Sequence, residues 1–65
     1  NEYYLALKLD PNFVYSHYQL FYLYSKSGQN EKAVEFKEFI ETIQSGGNVS
    51  YQEIEKARNH DSGIN

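Results

Sequence analysis

Residues 20–33 read LFYLYSKSGQNEKA, and this stretch decides the fold. An aromatic-rich run of helical character ends at Ser27-Gly28. After a few polar residues a second helical run opens at about Glu31. Gly28 is the natural stop for the first run, because only glycine enters the left-handed C-terminal conformation without a penalty from Cβ. A connection this short joins two antiparallel helices packed face to face. The unit is a helical hairpin, and the rest of the chain is read outward from it.

Upstream, Glu2 to Leu9 carries apolar side chains at Tyr3, Tyr4, Leu5, Ala6, Leu7 and Leu9, with helical spacing in Tyr3/Ala6/Leu7 and Leu5/Leu9. A helix of about two turns does not persist alone in water, and it looks like the tail of a helix whose beginning has been cut off. Asp10-Pro11 ends it, since the residue before a proline avoids the helical region. Asn12 is then expected to be the N-cap of a helix running from Phe13 to Ser27. On that helix Phe13, His17, Leu20, Phe21 and Tyr24 share one stripe, while Tyr15, Tyr18, Tyr22 and Ser25 share its neighbour. The first stripe is expected to face the hairpin. The second either stacks on a neighbour or stays open for a ligand.

Downstream, a helix is expected from Glu31 to Gln44, with Ala33, Phe36, Ile40 and Ile43 inward and Phe39 beside them. Glu31, Lys32, Glu35, Lys37, Glu38 and Glu41 make a solvated face, not a site. Ser45-Gly46-Gly47-Asn48 is a break. Ser50 and Glu53 have the spacing of a capping box, and Val49 with Ile54 that of a hydrophobic staple. A fourth helix is therefore expected from Tyr51 to Asn59, released into a frayed end at Asp61-Ser62-Gly63. The expected fold class is all-α.

Leu20, Tyr24, Gly28 and Ala33 have the spacing of the tetratricopeptide repeat, and the chain resembles that family at these residues. Upstream, Ala6-Leu7-Lys8-Leu9-Asp10-Pro11-Asn12 looks like the end of one repeat and the lead into the next. The sequence departs from the pattern with His17 where Trp is usual, Phe21 where a small residue is usual, Lys37 where an aromatic is usual and Ile40 where a second Ala is usual. The resemblance implies antiparallel hairpins stacked as a solenoid: 1–10 the end of an upstream repeat, 12–45 one full repeat and 50–61 a capping helix, all within a single domain of 1–65. A shift by the repeat period of about 34 residues sets Ala6 on Ile40, Leu9 on Ile43, His17 on Tyr51 and Leu20 on Ile54. It also takes Phe21 to Glu55, Tyr18 to Gln52, Tyr22 to Lys56 and Tyr24 to Arg58. The last helix thus keeps gripping residues and turns others polar, as a lid would.

In this family the first helix of each repeat lines a concave groove that holds extended peptides. The matching positions here are Tyr15, Tyr18 and Tyr22, with Gln19 and Lys26 nearby. The period brings Gln52, Lys56 and Asn59 to the same side. These imply a non-catalytic scaffold that binds a peptide segment of a partner protein on a tyrosine-lined face. Tyrosine offers large contact area at low entropic cost and a hydroxyl for orientation. Lysine at the margin suits a peptide bearing apolar and acidic groups. Clamping of a terminal carboxylate, known in the family, is not expected, because tyrosine holds the matching places. The alternatives are that the rings only pack on neighbouring helices, that the exposed face of the first helix carries self-association, or that the segment is accessory to an enzyme whose catalytic domain lies elsewhere.

Other classes find little support. The chain has 65 residues, no cysteine and a formal net charge of −3. It begins at Asn without Met, so a piece of a longer protein is expected. The acidic balance argues against nucleic acid, whose binding is driven by lysine and arginine neutralising phosphates. Lack of cysteine excludes thiolate zinc sites. No uninterrupted apolar stretch approaches the roughly 20 residues that span a bilayer, so membrane insertion is not expected. His17 on the inward stripe reads as a core residue with satisfied nitrogens rather than a metal ligand. His60-Asp61 reads as a solvated pair. Asn48-Val49-Ser50 fits the glycosylation triplet, a pattern too frequent by chance to weigh. No nucleophile with a nearby base and no phosphate-binding loop is present, and no cofactor is implied.

Overall fold

The structure is a computed structural model, and it describes residues 1–59. Four helices follow in order: α1 Glu2–Leu9, α2 Val14–Lys26, α3 Asn30–Gln44 and α4 Tyr51–Arg58. The described chain is all-α, a helical-repeat architecture built on the α2–α3 hairpin. The frayed end expected beyond Asp61, and the His60-Asp61 pair, lie outside the described residues.

Two glycines stop two helices by the same device. Gly28 has φ +80° and Gly46 φ +94°. At the end of α2 the Gly28 N–H donates to the Ser25 carbonyl and the Gln29 N–H to the Tyr24 carbonyl. At the end of α3 the Gly46 N–H donates to Ile43 and the Gly47 N–H to Thr42. Both are Schellman turns, which give otherwise orphaned carbonyls a donor. At α4 the expected capping box forms: the Glu53 N–H donates to Ser50 Oγ at 3.3 Å, and the Ser50 N–H donates to Glu53 Oε1 at 3.1 Å. Val49 and Ile54 are both buried in the core, as the staple requires.

The start of α2 differs from expectation. Phe13, not Asn12, is its N-cap, and no side chain caps it. Asn12 Oδ1 instead accepts from the N–H of Val49 at 2.7 Å, tying the α1–α2 connection to the α3–α4 connection. With its side-chain oxygen turned to Val49, Asn12 does not reach the first N–H groups of α2. Phe13, placed on the inward stripe by spacing, is exposed because it lies outside the helical turns it was counted with. Ser16 takes an inward place and is buried.

The core centres on Phe36, which is fully buried. Tyr4, His17, Tyr24 and Phe39 all stand with ring centroids 5.3–6.1 Å from it. The aromatic usual one residue later is replaced by Lys37, which is exposed, so Phe36 fills the inter-helix space instead. Leu7, Leu20, Val49, Ile54 and Ala57 complete the cluster, drawing on all the helices. α1 packs on α2, α2 on α3 and α3 on α4. Arg58 of α4 lies over the Tyr4 ring of α1 at 4.2 Å, so the helices close round one core. The Tyr4 hydroxyl meets the Tyr24 hydroxyl at 2.6 Å beside this contact. Burial and that hydrogen bond push the Tyr4 phenol well above the ordinary tyrosine range, so it stays neutral.

Candidate peptide-binding face

α2 buries one side only. Ser16, His17 and Leu20 point inward, and Phe21 and Tyr24 pack beside them. Tyr15, Tyr18 and Tyr22 fall on the opposite side, at 54%, 44% and 55% exposure. Positions 15, 18 and 22 span a narrow arc at about 100° per residue, so the rings form a ladder along the helix.

Each rung has a different support. The Tyr15 ring meets Tyr3 of α1 edge-on at 6.5 Å and Phe13 at 5.9 Å. The Tyr18 hydroxyl accepts from Gln44 Nε2 of α3 at 2.9 Å. Lys26 Nζ stands 5.3 Å from the centroid of the Tyr22 ring, a cation–π arrangement. Gln19 is half-buried at the edge of the ladder, and Lys26 is exposed.

Gln52 and Lys56, aligned with Tyr18 and Tyr22 by the period, stand on α4. They are exposed on α4, where they line a depression with Asn48, Val49, Ser50 and Glu53. α2 and α4 are not a packed pair of helices. Among the described residues, no hydrogen bond or ring contact joins Gln52 or Lys56 to the tyrosine ladder. Tyr15, Tyr18, Gln19, Tyr22 and Lys26 share α2, whereas Gln52 and Lys56 stand on α4 and Asn59 at its C-cap.

Two features escaped the sequence reading. One is a small cleft of about 200 Å³ between α1 and α4, lined by Tyr4, Lys8, Tyr51, Glu55 and Arg58 among others. Nothing in the local spacing brings α1 to α4. The other is the state of His17. Its Nε2 faces the Pro11 carbonyl at 2.7 Å, and a carbonyl only accepts, so Nε2 carries the proton. Nδ1 is then an acceptor, and it is buried without a partner. The ring is held by Phe36 and Phe39 at 5.9 and 5.5 Å. Burial lowers its pKa below the ordinary histidine range, against smaller opposing effects of the Pro11 hydrogen bond and Asp10. Among the described residues, no group of three or more His, Cys, Asp or Glu side chains is placed to hold a metal ion. No described helix is long and apolar enough to cross a membrane.

No curated protein and no solved structure matches the chain. A family model described as tetratricopeptide repeat matches residues 2–35, from the start of α1 through α2 into α3. That span is more than half of the chain and about one period of the repeat. Repeats of this kind are generally non-catalytic, and they imply protein partners. With the hairpin, its glycine stop and the family match in agreement, the chain belongs to the tetratricopeptide repeat family of protein–protein interaction modules.

Proposed function

We propose that the chain takes a peptide segment of a partner protein on the outer face of α2, through Tyr15, Tyr18 and Tyr22 with Gln19 and Lys26 at the margin. In this reading 12–45 is the full repeat, 1–10 the second helix of the repeat before it, and 50–61 the segment that covers the hairpin. The observation that supports it is a row of tyrosines that the core does not use. The inward side of α2 is already filled by Ser16, His17 and Leu20. Bulky rings held half-exposed by their own neighbours offer contact area with little left to immobilise. Gln52 and Lys56, exposed on α4, are the polar positions that the repeat period adds to this contact.

The test is a peptide selection against the chain, followed by titration of the selected peptides. Tyr18→Ala with Tyr22→Ala is expected to weaken binding by about a hundredfold, since central aromatic anchors contribute roughly 2 kcal/mol or more. Helicity by circular dichroism should not change, because neither ring is in the core. Unchanged affinity in the double variant removes this face from the function.

A second reading rests on α1. Leu5 and Leu9 are 63% and 90% exposed, and neither belongs to the core cluster. Exposed leucines at helical spacing suit packing on a second copy. Sedimentation velocity across a range of concentrations checks this: mass action should raise the average mass, and Leu9→Ser should reverse it. A strict monomer excludes assembly through α1.

A further inference from the structure

We propose that the cleft between α1 and α4 is a binding site for a carboxylate, held by Arg58 and Lys8. The cleft shares no lining residue with the tyrosine row of α2, so the proposal stands apart from the peptide-binding reading above.

The first ground is a cation fixed in place. Arg58 comes from the last turn of α4, and its guanidinium carbon stands 4.2 Å from the centroid of the Tyr4 ring. That ring is itself immobile. Tyr4 is buried, its hydroxyl meets the Tyr24 hydroxyl at 2.6 Å, and its ring meets Phe36 edge-on at 6.1 Å. An arginine stacked on a fixed ring has already lost much of its side-chain freedom, so binding a ligand costs less ordering. Lys8, in the last turn of α1, lines the same cleft from the other wall. Among the described residues neither cation pairs with a carboxylate.

The second ground is the balance of charge. The charged side chains that line the cleft are Lys8, Arg58 and Glu55. Glu55 Oε1 accepts from Asn59 Nδ2 at 3.4 Å, within its own helical turn. Two cations against one carboxylate leave a single positive charge, which one further carboxylate neutralises. A phosphate monoester brings about −1.5 to −2. That is more than the cleft offsets, and it would stand beside Glu55. A cationic ligand is repelled by Arg58 and Lys8. The planar fork of a guanidinium also matches the two oxygens of a carboxylate.

The third ground is size. The cleft holds about 200 Å³, less than the roughly 300–1,000 Å³ of sites for drug-sized molecules. It has room for one acidic side chain or one small organic acid. The rest of its wall includes Tyr4, Leu5 and Tyr51, which give apolar contact to the stem that carries the acid.

The experiment uses the isotope-labelled 65-residue chain at low salt and four probes. Three are peptides blocked at both ends and uncharged except at one position, which is Glu, Gln or phosphoserine. The fourth is isovalerate, a free acid. The Glu peptide is expected to give saturable amide shifts at residues 4–8 and 55–58, with the Gln peptide weaker by about tenfold or more. Isovalerate separates the sources. Shifts from the Glu peptide alone make the ligand a partner's side chain, and shifts from isovalerate, with or without the peptide, make a free acid sufficient. Lys8 is exposed and outside the core cluster, so Lys8→Gln keeps the fold, and it should weaken binding roughly two- to fivefold. Arg58→Lys keeps the charge but loses the fork, and should weaken it about tenfold. Equal binding of the Gln peptide, tighter binding of the phosphoserine peptide, or wild-type affinity in both variants overturns the proposal. So does the absence of shifts at residues 4–8 and 55–58 with every probe. None of these outcomes bears on Tyr18 and Tyr22, whose own test is separate.

Discussion

The ring of His17 sits among Phe36 and Phe39 with Nε2 bonded to Pro11 and Nδ1 bare. A neutral imidazole tolerates this; an imidazolium would bury a charge and an unpaired donor. The folded-state pKa therefore lies below the unfolded one, near 6.5. Above that pH neither state binds the proton and the fold keeps its full stability. As pH falls through about 6.5, the unfolded chain binds a proton that the native chain refuses, and stability drops. Urea midpoints at pH 7.5 and pH 5.5 should show the fall. His17→Leu should flatten the difference, because it removes the titrating group while keeping an apolar side chain in place. An equal fall in the variant would assign the acid sensitivity to other groups. The sequence shows that His17 is inward; it cannot show that only one nitrogen finds a partner, since that depends on where the Pro11 carbonyl points.

The helix ends were legible because their causes are local. Gly28, Gly46 and the Ser50/Glu53 box each act within a few residues, and each forms as its spacing implies. The two helix-ending turns nevertheless make different demands. A Cβ at Gly28 would meet nothing within 4 Å, so Gly28→Ala suffers only the cost of a left-handed backbone, about 1–2 kcal/mol. A Cβ at Gly47 would stand 2.9 Å from Thr42 Cγ2 and 3.1 Å from the Thr42 carbonyl oxygen, on a backbone without positive φ. Gly47→Ala is thus limited by contact, and Thr42→Ser should recover part of its loss by removing the methyl. The same change should not help Gly28→Ala. Thermal melts of the single and double variants check both statements; recovery at both sites or neither would refute the assignment. Asn12 departs from its local expectation for the complementary reason. Its cap role is the local inference, but its side chain accepts from Val49, a residue 37 positions on. Local spacing cannot reveal a partner supplied by the closing of the whole chain.

The same limit governs the molecule as a whole. Helical period places Tyr15, Tyr18 and Tyr22 together because they share one helix. It cannot say how α4 sets Gln52 and Lys56 relative to them, because that depends on how α4 packs on the hairpin. What α4 does is cover the core. Val49, Ile54 and Ala57 are buried against a cluster that includes Tyr4, Leu7, Leu20 and Phe36. Burying Val49 and Ile54 contributes about 1.5–3 kcal/mol each. A chain of this size is stable by only about 3–10 kcal/mol in total. Removing residues 46–65 should therefore take away most of that margin and open the ring of aromatics around Phe36 to water. The shortened chain is expected to lose its cooperative urea transition and to bind a hydrophobic dye that the complete chain excludes. Adding back α4 as a separate peptide is not expected to restore the fold at micromolar concentration, because the Ser45–Asn48 connection supplies the local concentration that a short helix needs. A sigmoidal urea curve from the shortened chain would mean that α1, α2 and α3 hold together uncovered, and that α4 is an ornament on a self-sufficient hairpin rather than its fourth wall.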